Sequence, residues 1–80
     1  MARFYFDVRS DGMLIRDEMG IELRDHNEAR SRALETIPAL LQDVLHRTNV
    51  CVTMEVRDSK QTLYVIRATI EVDVRVNQTT

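Results

Sequence analysis

Leu63-Tyr64-Val65-Ile66-Arg67-Ala68-Thr69-Ile70-Glu71-Val72-Asp73-Val74-Arg75-Val76 is the longest strand pattern in the chain. Its even positions, from Tyr64 to Val76, are all apolar, and from Arg67 onward its odd positions are all polar. Strict period-two alternation marks a strand buried on one face. The preceding stretch alternates in the same way, with Val50, Val52, Met54 and Val56 inward and Cys51, Thr53, Glu55 and Arg57 outward. Asp58-Ser59-Lys60-Gln61 between them is a polar turn. Both strands carry their apolar residues at even numbers, so even must face even across an antiparallel ladder. The expected pairs are Val56–Tyr64, Met54–Ile66, Val52–Ala68 and Val50–Ile70, or the same ladder shifted by one pair. In either register Val72, Val74 and Val76 run past the end of the partner strand. They need another neighbour, which the first strand of the chain or a second copy would supply.

Upstream, residues 3–9 alternate, with Phe4, Phe6 and Val8 on one side and Tyr5, Asp7 and Arg9 on the other. Asp11-Gly12 follows as a hairpin signal, because such turns demand positive φ. Met13-Leu14-Ile15-Arg16 is then a short second strand. Asp17-Glu18-Met19-Gly20 fits a type I turn, and Ile21 and Leu23 add two apolar anchors beyond it. Asp25 caps a helix, with Glu28 three residues on as in a capping box. Ala29, Ala33, Ile37, Leu40, Leu41, Val44 and Leu45 recur at helical spacing, and Leu34 widens the stripe. The spacing predicts a helix over residues 25–46. Pro38 either kinks it or splits it into two shorter helices, because proline has no N–H and disfavours helical geometry in the residue before it.

The expected fold is therefore α+β: a two-layer ββαββ domain with one amphipathic helix on a four-stranded, mainly antiparallel sheet. Strand orders 2-1-4-3 and 2-1-3-4 both satisfy the connections. Eighty residues make a single domain with a thin core, and residues 77–80 read as a frayed tail. One cysteine allows no disulfide within the chain and points to a reducing compartment. The start of the chain runs straight into a strand pattern rather than a signal peptide, and no apolar run approaches the ~18 residues a membrane helix needs. The expectation is a cytoplasmic protein. A net charge of −2 without any basic block argues against nucleic acid as the partner.

Several residues carry possible chemistry. Asp17, Glu22 and His26 combine hard oxygen donors with an imidazole and are the candidate metal ligands. Against that, Asp17 already suits a turn position, and calcium loops place their oxygen ligands at tighter alternating spacing. His46 lies about 30 Å from His26 along one helix, too far to share a metal. Cys51 would face Thr69 or Arg67, and only the arginine would favour a reactive thiolate. Asp7 is unusual in a strand, and an ion pair with Arg16 across the first hairpin accounts for it. Tyr5, Arg67 and Arg75 on the open face give a minor reading as an RNA surface. No phosphate loop, dinucleotide fingerprint, zinc spacing or nucleophile elbow appears, and no cofactor is indicated.

Phe4-Tyr5-Phe6-Asp7, Asp17-Glu18-Met19-Gly20-Ile21-Glu22-Leu23, Asp25, Ala29 and Ala33 together resemble a family of short bacterial stand-alone domains of unknown function. Its pattern is an aromatic first strand, a D-x-x-G-x-E-L turn and an alanine-studded helix. The resemblance implies a cytoplasmic protein and no known activity, ligand or catalytic residue. The sequence thus favours a non-enzymatic interaction or regulatory module, acting as a homo-oligomer or through a protein partner. Its interface candidates are Val72, Val74 and Val76. Binding of a small molecule or metal at the acidic turn is the alternative.

Overall fold

The computed structural model describes residues 1–43 and 49–76. Strand β1 (Ala2–Ser10) turns tightly into β2 (Met13–Ile15), which is followed by β3 (Ile21–Leu23). Helix α1 (His26–Gln42) then leads to the hairpin of β4 (Asn49–Arg57) and β5 (Thr62–Glu71). All strand pairs are antiparallel, in the order β2-β1-β4-β5 with β3 also on β1. The α+β expectation holds, and of the two strand orders the one that places the third main strand beside the first is realised. The sheet has five strands rather than four, because Ile21-Glu22-Leu23 pairs with Phe4, Arg3 and Ala2.

The first turn forms as its residues require. Asp11 and Gly12 sit at φ of +52° and +78°, the pair of positive values that two-residue hairpins use to match strand twist. Of the two registers that the even-facing-even rule allows, the β4–β5 ladder takes the first, with Val50 opposite Ile70 and Val56 opposite Tyr64. A register shift follows at Arg57, which pairs with Thr62. Asp58 closes the connecting turn by accepting the N–H groups of Lys60 and Gln61 at 2.7 and 2.8 Å.

Helix α1 starts where Asp25 accepts the Glu28 N–H at 2.9 Å. Glu28 reaches back to the Arg24 N–H at 3.1 Å and to the Arg24 side chain at 2.9 Å. One continuous helix contains Pro38, so the split alternative does not occur. Ala29, Ala33 and Ile37 form its buried stripe; two alanines let the backbone approach the sheet closely. Leu34 is largely exposed, off the stripe it was expected to widen. Val44, Leu45 and His46 lie outside the described residues.

The core lies between α1 and one face of the sheet. Phe4, Leu23, Met54 and Val56 are buried there against the helix stripe. Phe6, Val8, Tyr64, Ile66 and Ala68 pack around them. The even residues of β1, β4 and β5 thus share the helix side, and the odd residues Tyr5, Asp7, Thr53, Glu55, Arg57 and Arg67 share the other. Strand β5 ends at Glu71, shorter than the alternation in the sequence. Backbone pairing with β4 stops there, because Asn49 is the first residue of that strand.

Candidate functional site

Two places hold the residues singled out in the sequence. The first is the connection between β2 and β3. Along its outer edge β1 pairs with β3 at residues 2–4 and with β2 at residues 8–10, which leaves the middle of that edge without a strand. Asp17 fills the gap. One of its carboxylate oxygens accepts the Phe6 N–H at 3.1 Å, and the other accepts Met19 N–H at 3.1 Å and Gly20 N–H at 3.0 Å. A side chain thus serves backbone donors that a strand would otherwise serve. Gly20 adopts φ +67°, and a Cβ there would lie 2.8 Å from the Phe4 carbonyl oxygen and 2.9 Å from the Tyr5 ring. Glycine at the fourth place of this turn is therefore a steric requirement.

Asp7 lies beneath this loop and is 4% exposed. It accepts the Asp17 N–H at 2.8 Å and the Arg57 Nε–H at 2.8 Å. Arg57 also donates to the Asp17 carbonyl at 2.8 Å and stacks over the Tyr5 ring at 4.4 Å. The expected Asp7–Arg16 pair is thus corrected: Arg57, on the neighbouring strand β4, supplies the counter-ion. Arg16 contributes only its nearby charge. Asp7 is buried rather than displayed, because the loop folds over the outer face of β1.

Burial pushes the Asp7 carboxyl up, but the Arg57 guanidinium, the Asp17 N–H and the Arg16 charge outweigh it and hold the group below the usual carboxylate range. Asp17 is likewise raised by burial and lowered further by the N–H groups of Gly20, Phe6 and Met19 and the charge of Arg57. Carboxylates held below their usual range, with their lone pairs occupied, are poor proton acceptors near neutral pH.

Among the metal candidates, Asp17 is engaged as described, and Glu22 meets Arg3 in an exposed pair at 3.4 Å. His26 sits edge-on to the Phe4 ring, with centroids 5.7 Å apart. Among the described residues no three His, Cys, Asp or Glu side chains come together to hold an ion. Cys51 is exposed opposite Thr69, not Arg67, and its sulfur accepts the Thr69 hydroxyl at 3.7 Å. Tyr5, proposed as a base-stacking residue, has its ring covered by Arg57.

The second place is the open edge of the sheet. Strand β5 is ten residues long and pairs with β4 on one side only among the described residues. Its continuation exposes Val72, Val74 and Val76 at 53%, 60% and 75%. The Val72 N–H is held by the Asn49 side chain at 3.3 Å, but among the described residues no strand pairing extends beyond Glu71. The opposite edge, β2, is only three residues long, with Met13, Leu14 and Ile15 all exposed.

Residues 3–69 match the family model described as Domain of unknown function (DUF6894). The chain belongs to that family. No curated protein and no solved structure matches it significantly. No helix among the described residues is long and apolar enough to cross a membrane.

Proposed function

We propose that this chain is a non-enzymatic interaction domain. Its working surface is the open edge of β5 with Val72, Val74 and Val76. The observation that carries the reading is the ten-residue edge strand leading into three exposed valines. An unpaired edge presents a row of free N–H and C=O groups that another strand can satisfy, and natural proteins usually blunt such edges by shortness, charge, proline or a covering element. The β2 edge is blunted by its length. The β5 edge has no proline and is long, and its apolar face continues in phase into the valines, as strand addition requires. The turn chemistry, by contrast, is consumed in building the fold: Asp7, Asp17 and Gly20 each have a structural partner or a steric duty. A cytoplasmic setting belongs to the same reading and is supported by the lone, exposed thiol of Cys51.

Val74→Lys tests it. A lysine at the middle of the strip removes apolar burial and sets a charge in the seam. Self-association or capture of a protein partner should weaken about tenfold or more, with circular dichroism unchanged. A folded V74K chain that associates as the unaltered chain does would refute the reading.

A further inference from the structure

We infer that the partner on the β5 edge is a second copy of this chain, joined antiparallel about a two-fold axis through Thr69. This deepens the edge reading and rests on it. Charge fixes the register. On the outer face of β5 the exposed Arg67 and Glu71 stand four residues apart, either side of Thr69. Neither side chain makes an ion pair or hydrogen bond among the described residues.

A two-fold pairing must place even opposite even, or the apolar face of one copy would turn to solvent. That leaves registers centred on successive residues. Centred on Arg67, two arginines stand opposite each other. Centred on Ala68, Arg67 faces Thr69 and Glu71 faces Val65, so no charge is matched. Centred on Ile70, Arg67 faces Asp73, which lies beyond the formed strand and already holds Arg75 at 2.7 Å. Centred on Glu71, two glutamates oppose and Arg67 meets Arg75. Centred on Thr69, Arg67 faces Glu71 of the second copy twice over, and both residues lie inside the strand as folded.

The same register satisfies the overhang. Val72 falls opposite Ile66, Val74 opposite Tyr64 and Val76 opposite Thr62 of the second copy, so the extended residues gain the ladder that β4 is too short to give them. Both helices then lie on one side of a continuous sheet, and the contact closes on itself as a two-fold interface does.

Charge reversal tests the register at low ionic strength, where exposed pairs are least screened. R67E alone brings like charges together in both symmetric pairs and should weaken self-association about 10- to 100-fold. E71R should do the same. An equimolar mixture of R67E and E71R chains should form a mixed dimer at least as tight as the unaltered one, because both pairs are then attractive. If the mixture associates no better than either variant alone, the Thr69-centred register is overturned; normal association of E71R, with a mixture weaker than E71R alone, would instead mark the Ile70-centred register with its Arg67–Asp73 pairs. If V74K abolishes association while all charge variants associate normally, the register fails and the edge reading stands. If V74K has no effect on any association, the edge reading itself fails.

Discussion

Arg57→Leu should cost about 3 kcal/mol of folding stability at neutral pH. The figure takes the lower end of the 3–5 kcal/mol for removing one partner of a buried ion pair, because the Arg57 side chain is itself 18% exposed. The Asp7 side chain, at 5% exposure, would keep its charge with only the Asp17 N–H to satisfy it. The bond to the Asp17 carbonyl and the stack on Tyr5 would be lost as well. A domain of this size has roughly 4–12 kcal/mol in total, so the variant should unfold at markedly lower urea, with an unchanged slope.

The pH dependence separates this from a generic packing loss. In the unaltered chain the Asp7 carboxyl sits below its ordinary 3.8. Its stabilising contribution is fully present above that value and is lost as pH falls through the lower folded one. In Arg57→Leu, burial is opposed only by the Asp17 N–H and the Arg16 charge, so the folded carboxyl rises from its lowered position and the stabilisation linked to its ionisation is lost. The deficit of the variant should therefore shrink as pH falls toward 4 and below. A deficit under about 1 kcal/mol, or one that stays constant between pH 7 and 3.5, would show Asp7 and Arg57 to be an ordinary solvated pair and refute the reasoning.

Three further outcomes are expected. Gly20→Ala should destabilise by about 2 kcal/mol or more, combining positive φ with a Cβ set against the Phe4 carbonyl, whereas Gly12→Ala, whose Cβ meets nothing within 4 Å, should cost only about 1 kcal/mol; denaturation of the two variants side by side decides it. Asp25→Ala should cost about 1 kcal/mol by removing the helix cap, read from the same assay. Phe4→Ala, which empties a fully buried position at the centre of the core, should cost about 3–5 kcal/mol and leave the chain largely unfolded at 37 °C by circular dichroism.

The fold was readable wherever a period governed it. The alternation in β4 and β5 narrowed their register to two ladders one pair apart, since any odd slip exposes an apolar face, and the first of the two is formed. The hairpin at Asp11-Gly12 and the cap at Asp25 followed from residues with few other uses. What escaped depended on contacts between distant segments. Asp7 looked like an outward polar residue because alternation says which face a side chain takes, not whether a loop covers that face. Its partner Arg57 lies fifty residues away and becomes a neighbour only once β4 is known to lie beside β1. The extra strand β3 was missed because three residues are too few for a period to show. The end of β5 at Glu71 was set by the length of its neighbour, which the valine alternation does not encode.

The most direct test of the account is the solution mass of the unaltered chain by light scattering across a dilution series. A second copy on the β5 edge predicts a mass near twice 9.3 kDa at micromolar concentration, falling toward 9.3 kDa on dilution. A mass of 9.3 kDa at every concentration would contradict it.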